Sequence, residues 1–355
     1  MISELEQRIL DYLTTNPNIS SQKIFDGMTS VYADQFTISL STLKRRLRNL
    51  KKSDLVASSG KGKGLKYSIS TEYQFIYPID TAKYFEKDDR QGKENFNFEL
   101  IDALANARIF TEAELTTLEE LQTKYENNIA DLSPGAYRKE LERLSVDLIW
   151  KSSQIEGNTY SLLDTERLLN EQKTADGKTM KEATMLLNHK DALDFLLDTT
   201  DFFEELKTRD IEDIHSILIK NLDVNRNVRK QIVGVKGTNY KPLDNEHQIK
   251  EALKAMCKLV NDRENVFEKT LMVLVLVSYI QAFMDGNKRV ARIVANGILI
   301  NKKYCPIPFR TVEVSDYKKA MLVFYEQNNI SVFKEIFIEQ FRFAATSYFT
   351  SNIRK

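Results

Sequence analysis

Between apolar runs at residues 271–280 and 293–300 the chain places one carboxylate, a Gly-Asn pair and three cations, in the order Gln281-Ala282-Phe283-Met284-Asp285-Gly286-Asn287-Lys288-Arg289-Val290-Ala291-Arg292. Both apolar runs have helical length, so the stretch reads as a loop opening into a helix N-terminus. First-turn amides lack intrahelical acceptors and sit at the positive end of the helix dipole, which suits phosphate. Arg289 and Arg292, one turn apart on one face, can grip successive phosphoryl groups. Asp285 can hold a magnesium ion against those phosphates. These residue types at this spacing predict a nucleoside triphosphate site.

The elements that must position this set are mostly helices. The chain of 355 residues is long enough for two or three domains, and its 12 Gly and 6 Pro leave long periodic segments uninterrupted. Helices are expected at residues 111–129, 137–153, 162–173, 180–197, 211–222, 249–261, 267–283, 287–301, 314–328 and 331–348, the first opened by a capping-box pattern at Thr111 and Glu114. Hydrophobic and charged contents of 42% and 29% are those of a soluble globular protein, and the formal net charge of zero selects no partner. Cys257 and Cys305 are far apart without metal-ligand spacing, so buried free thiols in a reducing cytoplasm are expected. Residues 1–9 carry acids and lack a basic, apolar leader, and the longest apolar run is too short to span a bilayer. A cytoplasmic protein without membrane partners is expected.

The charge distribution is uneven. Residues 1–70 read as three helices followed by a hairpin with a basic glycine tip, the pattern of a winged helix-turn-helix. From Thr42 to Lys66 there are nine Lys or Arg against one acid. Lys44, Arg45, Arg46 and Arg48 on the third helix, with Lys61 and Lys63 at the tip, can straddle duplex DNA phosphates. The other reading is a solvated helix face or a protein-docking module. Residues 71–110 form a connector with aromatic anchors at Tyr73, Phe75, Tyr77, Tyr84 and Phe85, and 111–355 form the catalytic-type domain.

The run at 281–292 resembles the signature of the Fic (Fido) family, His-x-Phe-x-Asp/Glu-Gly/Ala-Asn-Gly/Lys-Arg-x-x-Arg: Phe283, Asp285, Gly286, Asn287, Lys288, Arg289 and Arg292 match, and Gln281 stands where the family carries His. Ser152-Ser153-Gln154-Ile155-Glu156-Gly157-Asn158 is similar to the inhibitory helix of some Fic proteins, here near 145–157, whose Glu pairs with the second arginine and keeps the γ-phosphate out. Arg229-Lys230-Gln231-Ile232-Val233-Gly234-Val235-Lys236-Gly237-Thr238-Asn239-Tyr240-Lys241-Pro242 follows the family's β-hairpin flap. A flap edge has unpaired backbone groups to which a target segment can add as a strand.

The resemblance implies a mainly α fold: a Fic-type helical bundle with a β-hairpin flap, preceded by the winged helix-turn-helix. It implies adenylyl transfer, in which AMP from ATP goes to a Tyr, Thr or Ser hydroxyl of a target protein. Mapped onto this chain, Asp285 is the metal ligand for Mg2+, and Gly286, Asn287 and Lys288 form the anion cradle. Arg289 and Arg292 clamp phosphates, Glu156 inhibits through Arg292, and Val235, Lys236, Gly237 and Thr238 lie nearest the nucleotide. Tyr325 either packs on adenine or belongs to the core. Lys288 also occurs in a phosphotransferase branch, but that branch lacks the second arginine, which is Arg292 here. Gln281 has no usable base, and general-base assistance is typically worth about 10²- to 10⁴-fold. His247, beyond the flap, is either a substitute base or an exposed loop residue, and Glu182, Asn188, Ala192 and His215 match helix-packing positions. The alternative to an impaired, autoinhibited transferase is a DNA-binding transcriptional regulator with an inactive nucleotide-binding core. The oligomeric state is left open.

Overall fold

The computed structural model describes residues 3–32, 38–86, 90, 92–199 and 201–350. The chain divides into two compact units, Met1–Pro78 with Asn106–Arg108, and Ile79–Ala105 with Ile109–Lys355.

In the first unit, α1 (Glu4–Thr15), α2 (Ser21–Tyr32) and α3 (Leu40–Lys52) precede β1 (Val56–Ser59), β2 (Lys66–Ile69) and α4 (Thr71–Ile76). Helix α1 starts at a capping box between Ser3 and Glu6, and Ser39 caps α3 by accepting from the Thr42 amide. The helical spacing of Ile9 and Leu13, Ile24 and Met28, and Leu43, Leu47 and Leu50 turns these side chains inward onto Val56, Tyr67 and Ile69. Strands β1 and β2 pair antiparallel from Val56↔Ile69 to Ser59↔Lys66. Their connection needs glycine at position 60: φ is +78°, and a Cβ there would lie 2.3 Å from the Gly64 carbonyl oxygen.

The second unit is helical. Short α5 (Thr81–Tyr84) and α6 (Leu100–Ala105) precede α7 (Glu112–Ala130), α8 (Pro134–Ile155), α9 (Leu162–Glu171), α10 (Met180–Asp198) and α11 (Thr208–Leu218). Then come α12 (Glu246–Asp262), α13 (Val266–Ile280), α14 (Asn287–Asn301), α15 (Val314–Gln327) and α16 (Ser331–Ser347). Helix α13 is apolar all round, and every residue from Thr270 to Ile280 is buried. It pairs with α14; α8, α10 and α11 pack on α14, and α12, α15 and α16 on α13. Each buried Leu, Ile or Val contributes about 1.5–3 kcal/mol, so the α13–α14 pair is a rigid base for the loop joining its two members. Gly297 lets Phe203 lie against α14, since a Cβ there would be 2.2 Å from the Phe203 ring.

Two expectations are corrected. The expected β-hairpin flap is no ladder: residues 229–242 form an extended loop with a turn at 236–238, and the protein's two-stranded sheet, among the described residues, is β1–β2. There the buried Arg229 guanidinium donates to the carbonyls of Gln281, Gln231 (2.8 Å) and Leu243, so one side chain ties both ends of the loop to the end of α13. The expected connector at 71–110 is not one linker either. Residues 71–76 form α4 of the first unit, whereas from residue 79 the chain belongs to the second. There Lys93 N–H donates to the Glu326 carbonyl (2.7 Å), Asn95 bridges Lys241, and Asn97 N–H donates to Tyr279 Oη (2.9 Å).

Candidate active site

Helix α13 ends because Gln281 adopts a left-handed conformation (φ 51°, ψ 54°), and α14 begins after Gly286 does the same (φ 87°). Between them the loop is pinned by Asn287. Its Oδ1 accepts from Phe283 N–H (2.9 Å), while its Nδ2 donates to the Phe283 carbonyl (2.8 Å) and to Gln281 Oε1 (3.1 Å). His215 stacks on Phe283 at 3.7 Å and 8° and places Nε2 3.0 Å from the Asp285 carbonyl. Burial pushes this imidazole down to about 4, so it is neutral at physiological pH. No side chain caps α14, which leaves its first-turn amides open to an anion.

Around that opening stand the cations. Arg289, 1% exposed, sets Nη2 3.2 Å from Asp285 Oδ2 and Nη1 3.4 Å from the Leu218 carbonyl. Asp285 keeps its side chain about half exposed (56%), so it can still meet a ligand. Among the described residues no three His, Cys, Asp or Glu side chains gather as a metal site. One exposed carboxylate beside uncapped helix amides would nonetheless suit magnesium, which takes few protein ligands and completes its shell with phosphate and water.

Arg292 is fully buried. Its Nε donates to Ser152 Oγ (2.8 Å), and its Nη2 donates to the Ser152 carbonyl (2.9 Å) and to Glu156 Oε1 (2.8 Å). Lys288 Nζ lies 3.9 Å from Glu156 Oε2. Burial works against the Glu156 charge, yet Arg292, Lys288 and Arg289 together hold its carboxyl below the ordinary range. Arg292 Nη1 is buried without a hydrogen-bond partner, beside the Tyr317 ring whose centroid is 5.2 Å from the guanidinium carbon. A buried, unpaired guanidinium N–H is a costly feature that an incoming phosphoryl oxygen would relieve.

Sequence reasoning missed one element of this cluster. Ser152 Oγ also bonds His189 Nε2 (3.0 Å), and His189 Nδ1 faces the Met185 carbonyl (2.8 Å). Burial pushes His189 down to about 3, so it stays neutral. With the proton on Nδ1 the relay is consistent: Ser152 donates to His189 and accepts from Arg292. The available signal was the i, i+4 spacing of Ser152 and Glu156, which puts both on one face of α8.

The remaining candidates separate into two groups. Gln281 uses its whole carboxamide internally: Nε2 donates to the Ser278 carbonyl (2.6 Å) and reaches Tyr325 Oη at 3.5 Å, and Oε1 accepts from Asn287. Tyr325 is 1% exposed and stacked 5.4 Å from Tyr240, so its ring belongs to the core. In the flap loop Val235 and Thr238 are half-buried and Lys236 and Gly237 exposed. His247 is exposed and pairs with Glu251. Asn188 ties α10 to the end of α11 through the Leu218 and Lys220 carbonyls. In the first unit Lys44, Arg45, Arg48, Lys61 and Lys63 are exposed, but Arg46 pairs with Glu6 at 3.1 Å and faces α1. Lys44, Arg48 and Lys63 border one groove with Ser20, Gln22 and Tyr67. Both cysteines are buried free thiols.

Residues 205–299 match the family model described as Fic/DOC family. A protein adenylyltransferase fic-1 of Caenorhabditis elegans is 25% identical over 181 residues, 49% of this chain and 35% of that protein. A protein adenylyltransferase Fic of Aedes aegypti is 26% identical over 237 residues, 58% of this chain and 43% of that protein. The chain thus spans less than half the length of these relatives. The solved structure of C. elegans Fic-1 (residues 134–508 in its own numbering) superposes with a TM-score of 0.58 at 18% identity, covering 69% of this chain and 79% of that one. A Fic domain containing signaling protein of Bacteroides thetaiotaomicron gives 0.55 at 17% identity, covering 65% and 94%. The loop and both arginines of α14 lie inside the region that matches the Fic/DOC family model, and the chain shares its fold with these solved Fic proteins.

Proposed function

We propose that the second unit is an ATP-dependent protein adenylyltransferase held off by Glu156. The observation that carries this reading is Arg292, a buried guanidinium with one N–H on Glu156 and another without a partner. The triphosphate would lie on the amides of Asn287 and Lys288, its outer phosphates clamped by Arg289 and Arg292. Asp285 would hold Mg2+, which neutralises phosphate charge when bound. A Tyr, Thr or Ser hydroxyl on a protein segment lying along residues 229–242 attacks the α-phosphorus. The bond from that phosphorus to the β-bridging oxygen breaks, pyrophosphate leaves, and the hydroxyl proton passes to solvent. In the resemblance the base position is Gln281, whose amide is occupied by Ser278 and Asn287. Turnover then rests on positioning and charge stabilisation, about 10²- to 10⁴-fold below a site with a base. Incubating the Glu156→Gly variant with Mg-ATP labelled in the adenosine and a cell extract tests the reading. Label on a protein, itself included, is expected, and a gel without any labelled protein removes the transferase.

A second activity is favoured by the first unit, which we read as a winged helix-turn-helix binding duplex DNA in the cytoplasm. The support is the exposed row Lys44, Arg45 and Arg48 with Lys61 and Lys63 at the β1–β2 tip. In that reading the Fic core of a transcriptional regulator binds nucleotide without turnover. Duplex binding that strengthens at low salt is expected.

A further inference from the structure

We propose that Arg90 is a positioning residue that latches the turn of the flap loop onto α15. Its guanidinium joins α15 to the loop. Nε and Nη2 each lie 3.1 Å from an oxygen of Glu326, and Nη2 donates at 2.7 Å to the Gly237 carbonyl at the tip of the loop. The Glu326 side chain is 5% exposed, so its charge depends on partners, and Tyr84 Oη supplies a further donor at 2.7 Å. The latch is held from both sides. The Arg90 guanidinium lies over the Phe85 ring (4.7 Å), and Gly92 passes so close that a Cβ would be 2.6 Å from Glu326 Cβ. Lys93 N–H and Lys241 N–H carry the same seam onward, to the Glu326 and Glu94 carbonyls at 2.7 Å each.

The flap loop has no ladder of its own, so its tip takes its place from what it touches. That is Arg90 on one side and, 3.6 Å from a Cβ position on Gly237, Leu322 of α15 on the other. The planar fork meets the two Glu326 oxygens from separate nitrogens while Nη2 also reaches Gly237; a lysine ammonium has its three donors on one nitrogen and cannot reproduce that bidentate spread. The consequence for target docking rests on the role proposed for the flap, whereas the latch itself does not.

The test is limited trypsin digestion of the full, nucleotide-free chain, following cleavage after Lys236 by mass spectrometry against cleavage after Lys173 in the exposed loop beyond α9. Arg90→Ala and Arg90→Lys are each expected to speed cleavage after Lys236 roughly tenfold or more, with Lys173 unchanged. Should Arg90→Ala fail to fold, Arg90→Lys, which keeps a cation beside Glu326, decides alone. Wild-type cleavage after Lys236 in Arg90→Lys, or a parallel rise at both sites, overturns the latch. Failure to bind Mg-ATP would remove the transferase and leave this result standing.

Discussion

Replacing Glu156 by Gly should lower the stability of the free protein and raise its affinity for Mg-ATP, two effects of opposite sign from one contact. In the wild type the carboxylate, one-fifth exposed, satisfies a guanidinium that has no exposure at all. Removing one member of a fully buried pair costs about 3–5 kcal/mol; the partial exposure of Glu156 and the two Ser152 bonds that Arg292 keeps bring the expected loss to about 1–3 kcal/mol. The freed Nη2 and the unpaired Nη1 then offer two donors to a phosphoryl group. A charge-assisted bond is worth about 1.5–3 kcal/mol, and one or two such bonds, less the ordering they require, tighten binding by roughly 10- to 100-fold. Calorimetry with ATP and Mg2+ gives the affinity and thermal melting gives the stability, with Glu156→Gln separating charge from shape. An affinity equal to wild type in both variants would refute the competition between carboxylate and phosphate.

Four other outcomes are expected. In the Glu156→Gly background, Gln281→His should raise protein labelling by about 10²- to 10⁴-fold, and no rise would show that the imidazole is not delivered to the hydroxyl. Because the folded Glu156 carboxyl lies below its unfolded value of about 4.3, its contribution is present above that pH and lost as acid passes through the folded value; the stability gap between wild type and Glu156→Gln should close there. His189 stays neutral to about 3, whereas the unfolded chain takes a proton near pH 6.5; stability should therefore fall as pH drops across that window, and His189→Asn should flatten the slope measured by urea unfolding. Neutralising Lys44, Arg45 and Arg48 should weaken duplex binding and reduce the salt slope by about 0.9 for each phosphate no longer neutralised, while Arg46→Ala, which breaks the Glu6 pair, should lower stability instead.

The legible part of this molecule lies in local patterns. Two apolar runs on either side of Asp285-Gly286-Asn287 give away α13, α14 and the loop, because burial on all faces leaves a signal in every residue. The capping-box pattern at Thr111 and Glu114 marks the start of α7 for the same local reason, and the structure has both of its bonds. What stays hidden depends on partners distant in the chain. The Ser152–His189 bond joins residues 37 apart, and Arg90 reaches Glu326 across 236 positions. A charged connector without periodicity gives no hint that it packs. The hairpin expected at 229–242 comes from the family resemblance and not from a strand pattern in the residues, and the Arg229 bonds to the Gln231 and Leu243 carbonyls join positions twelve apart that spacing alone does not pair. Counting cations gives nine near α3, but only the fold shows that Arg46 is turned toward Glu6.

A crystal structure of the Glu156→Gly variant grown with Mg2+ and a non-hydrolysable ATP analogue asks the central question directly. The inner phosphates should rest on the amides of Asn287 and Lys288, with the terminal one within hydrogen-bond reach of Arg292. Phosphates bound elsewhere, or an Arg292 whose donors still meet only Ser152, would contradict the account.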